Sequence, residues 1–346
     1  MPNKKTAAQR QPYVDAMKGF GILCVVIGHF IEYHRGTAPG INALFTCIYL
    51  FHMAIFCTAS GLVAKFSLRK LVTQQLWLYL ISQAGITAFR AAALKDNIVD
   101  QGGWLQNVLL PWRHMWYLYA LMFWMLTVPL LRAIQRRGLL ASTVGMAAAI
   151  AIGLLGGCVN WPFDLGRVFS FFPFFAFGVL FAEPFRSWQK RWYAWGPLAA
   201  AIVVFYTVTV QRIVTAETPV YEGARIFQSD AYAVGGYLMQ DRAVFYLLGF
   251  GTVLAITPIL GLIKPLASLG QRTLPIYILH MPLYALLVQL GCYEACASHG
   301  PAVITWLCFI IPAVVALCAS APVCAILNGI ANIWYKTLPA LFPRRG

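Results

Sequence analysis

The chain has 346 residues, of which 60% belong to the apolar set AVILMFWYC and only 11% are Asp, Glu, Lys or Arg; soluble domains carry about 45–50% apolar and about 25% charged residues. With a mean hydropathy of +0.70, the sequence cannot clothe a water-exposed shell. That excludes a soluble globular fold, a disordered chain and a nucleic-acid-binding module, although the formal charge is +15.

A membrane crossing uses about 20 apolar residues, and the sequence holds ten such spans, near 16–33, 41–64, 70–89, 115–131, 139–157, 165–182, 194–211, 243–263, 273–291 and 302–330. Each reads as a helix, because a helix satisfies every backbone group within its own segment in lipid. The expected fold is all-α and polytopic: about ten transmembrane helices in a single domain over 1–346, with a short cytoplasmic tail at 1–13. Gly- and Pro-bearing boundaries such as Gly102–Gly103, Gly156–Gly157 and Gly196–Pro197 separate the spans. The first span follows a basic patch as a signal peptide would. It lacks a small-residue cleavage site and carries His29 and Glu32 near its end, so it reads as an uncleaved helix.

Alternating the connections places 18 of the 26 Lys and Arg on the side of the N-terminus, for a net +16 there and −1 on the other. By the positive-inside rule both termini are cytoplasmic. The excess charge is topology, not a nucleic-acid surface. Two outer loops, 90–114 and 212–242, exceed simple connectors and mix acids with aromatics. Loops of that length tend to be functional and these suit a sugar or other polar acceptor, while interfacial Tyr and Trp with solvated charges explain them equally well. Cys292 and Cys296 flank Glu294 in the last outer loop and are candidates for a disulfide. No His/Cys ligand spacing supports a metal site.

Ionisable groups at mid-membrane are expensive and so point to function. His29, His52 and His280 each fall well inside a different span, at similar depth. One such histidine alone can be a structural hydrogen-bonding group; three at one level favour a shared polar cavity. Lys18 and His29 are 11 residues apart, close to three turns, so they share a helix face about 16 Å apart. Asp15 and Glu32 extend that face by three residues at either end. Lys18 alone reads as a snorkelling lysine. With the spacing, the stripe runs from an anion-binding cation at the cytoplasmic edge to a general base deep in the membrane.

The stretch Asp15-Ala-Met-Lys18-Gly-Phe-Gly-Ile-Leu-Cys-Val-Val-Ile-Gly28-His29 resembles the first-helix signature of the acyltransferase 3 membrane acyltransferases, a basic residue, ten intervening positions and a histidine. Further blocks are similar to the branch with fucose 4-O-acetylase-like proteins: Phe51-His52-Met53 through Ser60-Gly61, His114-Met-Trp116-Tyr117-Leu118, Phe172-Pro173-Phe-Phe175-Ala-Phe-Gly178, and Leu269-Gly270 through Tyr277-Ile-Leu-His280-Met-Pro282. They run in the family's order over nearly the whole chain. The resemblance implies transfer of an acyl group, usually acetyl from acetyl-CoA, to a hydroxyl of a sugar, glycolipid or other extracytoplasmic acceptor, at a bacterial inner membrane and with no bound cofactor. It implies His29 as the essential histidine and Lys18 as the basic partner of its motif; by their places on the same helix face, Glu32 is the candidate acid beside His29 and Asp15 joins Lys18 as a candidate at the donor. The family's RxxR entering the third helix is replaced by Arg69-Lys70, which become the candidate donor cations there. His52, Trp116, Tyr277 and His280 are the candidate acceptor or cavity residues. The rival class is a proton-coupled secondary transporter or flippase, which intramembrane histidines also suit; the two matching halves common in transporters are not visible. A structural membrane subunit is the third reading, and the histidines argue against it.

Overall fold

The computed structural model describes residues 11–34, 39–159, 161–215 and 239–297. Among these every regular element is a helix and there is no strand. Seven helical stretches are long and apolar enough to cross a membrane: Pro12–His34, Pro39–Leu62, Arg113–Arg136, Leu139–Gly157, Pro162–Leu180, Tyr193–Arg212 and Met239–Leu260, with the shorter apolar helix Thr273–Gln289 beside them. The protein is an all-α polytopic membrane protein. The tenth expected span, most of the 212–242 loop and the first ten residues of the tail lie outside the described residues, and so does the side chain of Cys296 with its proposed disulfide.

The first span is α1 (Pro12–Ile31). The second differs from the single helix expected over 41–64: it is two half-helices, α2 (Pro39–Tyr49) and α3 (His52–Leu62). The chain breaks at Leu50–Phe51, where Phe51 adopts φ −140° and ψ −21°. A break inside lipid must satisfy its freed backbone groups. Here the Ile48 carbonyl accepts from the Phe51 amide at 3.2 Å and from the His52 ring Nδ1–H at 2.8 Å. The third span begins with α4 (Leu68–Lys70), widens into a π-helical segment at Leu71–Leu76 and continues as α5 (Trp77–Ala92). A short helix, α6 (Gly103–Leu109), lies within the following loop. Then come α7 (Trp116–Arg136), α8 (Leu139–Gly157), α9 (Leu165–Leu180), α10 (Ala182–Trp188), α11 (Trp192–Thr215), α12 (Met239–Leu260), α13 (Lys264–Gly270), α14 (Thr273–Gln289) and α15 (Cys292–Ala297).

Burial sorts these helices into a centre and a rim. On α3 the residues from His52 to Ala59 are buried without interruption, as expected of a helix that is apolar all round. By contrast α8 exposes Leu140, Val144 and Leu155, and α11 exposes Val203 and Val204, apolar surfaces suited to lipid. Two crossings at the centre depend on glycine. A Cβ on Gly19 of α1 would overlap the carbonyl of Leu266, and one on Gly270 would overlap that of Asp15. Likewise Gly61 on α3 faces the Phe175 carbonyl of α9, and Gly178 faces that of Thr58. Small residues let membrane helices meet at backbone distance, where packing replaces the missing hydrophobic drive between helices. Around them Phe171, Phe174 and Phe175 of α9 are fully buried, and the Trp124 indole of α7 donates to the Val168 carbonyl at 2.8 Å. The α1 helix, with its stripe of ionisable groups, is thereby locked between α13, α3 and α14.

Candidate active site

His29 sits two residues before the end of α1, in an environment only partly closed, with 20% of its side chain exposed. Its Nδ1 is 3.4 Å from a carboxylate oxygen of Glu32, one turn on, and 3.2 Å from the hydroxyl of Tyr49 at the end of α2. A proton on Nδ1 donated toward these oxygens leaves the Nε2 lone pair free to accept another, the tautomer a general base requires. The His280 ring of α14 lies 5.4 Å from the His29 ring, and the His114 ring 4.7 Å from that of His280. His280 is fully buried. Its Nδ1–H donates to the Tyr277 carbonyl at 2.7 Å, with the Ile276 carbonyl at 3.2 Å, which fixes a lone pair on its buried and unpartnered Nε2. His114 belongs to a tight turn at Arg113–Met115 just before α7. Its ring approaches the Tyr277 and Ile278 backbone without a hydrogen bond of good geometry. The Tyr277 hydroxyl donates to the carbonyl of His114 and ties α14 to that turn. Three imidazoles from three separate parts of the chain therefore converge.

Of the sequence-derived candidates, Glu32, Tyr277 and His280 join His29 in this cluster. His52 stands beside it through Tyr49, ring centroids 4.8 Å apart, and its Nδ1 is committed to the α2–α3 break. Trp116 faces elsewhere, against Phe171 at 4.9 Å and under the Arg167 guanidinium at 5.8 Å. Tyr49 was not singled out by sequence, and His114 stood only at the head of a family block, with no role assigned to it. The signal for His114 was present, an ionisable residue at the mouth of a span.

A second feature lies toward the start of α1. A cleft of about 630 Å³ is lined by Asp15 and Lys18 together with Lys65, Arg132 and Arg186. The Arg132 guanidinium is half-buried and anchored on the carbonyls of Ala64 at 3.2 Å and Val179 at 3.4 Å. Arg186 is more exposed and pairs with Glu183 at 3.2 Å. Four cations and one acid thus border one opening, a setting for a polyanion. Arg69 and Lys70 are exposed on α4 and do not line it. Lys65, Arg132 and Arg186 had been visible only as topology charges. The cleft is lined at Arg132, near the end of α7, whereas His114 precedes its start. The imidazoles and the cleft therefore occupy different depths, joined by the 11 residues of α1 from Lys18 to His29, about 16 Å of helix.

Residues 11–326 match the profile of a protein family described as an acyltransferase domain. The nodulation protein NolL of Sinorhizobium fredii is 27% identical over 198 residues, 51% of this chain and 50% of the relative. The protein of the same name from Mesorhizobium japonicum is 27% identical over 194 residues, 51% of this chain and 48% of the relative. The chain spans about half the length of the curated relatives it matches. No solved structure matches it.

Proposed function

This chain belongs to the acyltransferase 3 family, and from that premise we propose a membrane O-acetyltransferase that moves acetyl from cytoplasmic acetyl-CoA to a hydroxyl of an extracytoplasmic glycan or glycolipid, in a bacterial inner membrane. The observation that carries this reading is the His29 imidazole, held at Nδ1 by Glu32 and Tyr49, on the same helix as a cation-lined cleft. Family membership selects an acyltransferase over the transporter and the structural subunit.

In the proposed reaction the 3′-phospho-ADP end of the donor rests among Lys18, Lys65, Arg132 and Arg186. Its acyl-bearing arm extends along α1 toward His29. The acceptor hydroxyl attacks the thioester carbonyl while His29 Nε2 takes its proton. Collapse of the tetrahedral intermediate breaks the C–S bond, and the imidazolium returns the proton to the departing thiolate. The products are the O-acetyl ester and free CoA, and the base is regenerated. Glu32 holds the ring and offsets the transient imidazolium charge, the part played by the acid of a catalytic triad. His280, whose buried Nε2 has no partner and whose ring lies 5.4 Å from that of His29, offers an acceptor for a hydrogen bond from the hydroxyl or from the imidazolium.

The test is acetyl transfer from radiolabelled acetyl-CoA by protein reconstituted in vesicles with a glycan extract, comparing wild type with His29→Ala and His29→Gln. Both variants are expected to insert, to bind donor and to transfer almost nothing. Transfer by the Gln variant at near the wild-type rate refutes a base at His29, because an amide cannot take the proton.

A further inference from the structure

The loop between α5 and α7 is built, not slack. Arg90, at the last turn of α5, is 4% exposed. All three of its guanidinium nitrogens are engaged: Nε with Asp96 at 2.8 Å, one terminal nitrogen with the Asn107 side-chain oxygen at 2.8 Å, and the other with the Gln101 side-chain oxygen. From α5, Gln83 donates to the Leu110 carbonyl, Tyr79 to that of Leu109 at 3.0 Å and Thr87 to that of Asn107 at 3.3 Å. Both protons of the Asn107 amide are used on the carbonyls of Gln101 and Gly103, at 3.0 and 2.9 Å.

This scaffold encloses a second cleft of about 330 Å³, lined by Arg90, Gln101, Gln106, Asn107, Leu110, Pro111 and Trp112. That volume is at the small end for ligand sites and suits one ring. Its chemistry is mixed. Trp112 supplies a half-buried indole, with the Arg90 and Arg113 guanidinium carbons over its ring at 5.4 and 5.6 Å from the centroid. Asp96 balances the charge of Arg90, and the exposed Arg113 adds one positive charge beside the ring. The NH₂ of Gln101 and the exposed side-chain amide of Gln106 make no hydrogen bond among the described residues. An aromatic face beside amides that both donate and accept fits the apolar C–H face and vicinal hydroxyls of a pyranose.

The position relative to the histidines is equally informative. The Trp112 ring lies 6.0 Å from that of His114, which leads at 4.7 Å to His280 and at 5.4 Å to His29. The cleft is therefore within about 16 Å of the proposed base along this chain of rings. It also opens at the start of α7, the end opposite Arg132 and the cation-lined cleft. A saccharide chain seated at Trp112 approaches His29 from the side away from the donor.

We propose that the Trp112 cleft is a subsite for a sugar ring of an oligosaccharide acceptor, a few units from the hydroxyl that receives the acyl group. This rests on the acetyltransferase reading for the identity of the ligand as acceptor, and on the loop alone for sugar binding. The test uses the full chain in nanodiscs and measures binding of maltotetraose, cellotetraose and chitotetraose, with glucose and N-acetylglucosamine as single-ring controls, by saturation-transfer NMR and calorimetry. At least one tetrasaccharide is expected to bind, and more tightly than its single ring. Trp112→Ala should weaken it at least tenfold, Gln106→Leu severalfold, and Gly85→Ala, with open space around it, not at all. Gln106 is exposed, so its variant reads the subsite even where loss of the indole loosens the loop. No tetrasaccharide bound by wild type up to about 10 mM, an affinity weaker than about −3 kcal/mol, overturns the proposal. So does undiminished binding in a folded Trp112→Ala protein. Sugar binding without any acetyl transfer overturns the acetyltransferase reading and leaves the subsite standing.

Discussion

Glu32 separates a triad-like arrangement from a merely neighbouring carboxylate, and its geometry sets how much it can do. It lies 3.4 Å from the His29 ring with 42% of its side chain exposed. A charge-assisted contact of full strength is shorter, about 2.7–2.9 Å. At that separation Coulomb's law gives an imidazolium–carboxylate attraction of about 1 kcal/mol at the dielectric of water and about 5 kcal/mol at an effective value of 20. Exposure places the pair near the lower bound, at about 1–2 kcal/mol, since exposed ion pairs are screened. At about 1.4 kcal/mol per decade, Glu32→Gln should lower kcat about 5- to 30-fold. His29→Gln, which removes the proposed base, should cost about 10²–10⁴. Raising ionic strength from about 0.1 to 1 M shortens the screening length from about 10 to 3 Å, so the Glu32→Gln deficit should shrink toward threefold. The assay is initial-rate acetyl transfer in vesicles at saturating donor, normalised to inserted protein. A Glu32→Gln loss as large as that of His29→Gln, and insensitive to salt, would contradict a partly exposed orienting carboxylate. It would require Glu32 to act chemically.

Other outcomes test the proposed donor cleft and the fold. Arg132→Gln should raise the KM for acetyl-CoA about 10- to 100-fold with kcat little changed, the range for a hydrogen bond to a charged group. Arg186→Gln, at a more exposed site, should raise it only a few-fold, and Arg69→Gln should leave it unchanged; a KM defect confined to Arg69→Gln would move the donor away from this cleft. Gly270→Val forces a side chain into the Asp15 carbonyl and should destabilise the detergent-solubilised protein by at least about 1–3 kcal/mol. Gly85→Ala, with open space around it, should leave the thermal midpoint unchanged or raise it. Arg90→Met leaves Asp96, Gln101 and Asn107 without their shared partner and should destabilise the loop by about 3–5 kcal/mol, read as faster amide exchange over residues 96–110 with α1 unaffected.

What the sequence determined alone came from local rules. A 60% apolar composition with 11% charge leaves a polytopic helical bundle as the economical solution, because lipid offers backbone groups no partner outside their own helix. The register of Lys18 and His29 is likewise local, a property of 3.6 residues per turn on one helix, and it singled out α1. The family blocks marked Tyr277 and His280 by their order along the chain. Hydropathy could not see the break at Leu50–Phe51: both residues are apolar, and the freed Ile48 carbonyl is met by the Phe51 amide and by the His52 ring folding back to it. Nor could it tell which cations face the cleft. Lys18, Lys65, Arg132 and Arg186 are spread over 168 residues, and meet only because Gly19–Gly270 and Gly61–Gly178 let the helices cross at backbone distance. His114 joined the histidine cluster for a similar reason, through the bond from Tyr277 to its carbonyl. Periodicity assigns a residue to a face of its own helix; which helix that face meets is decided by interhelical packing, which depends on the shapes of both partners.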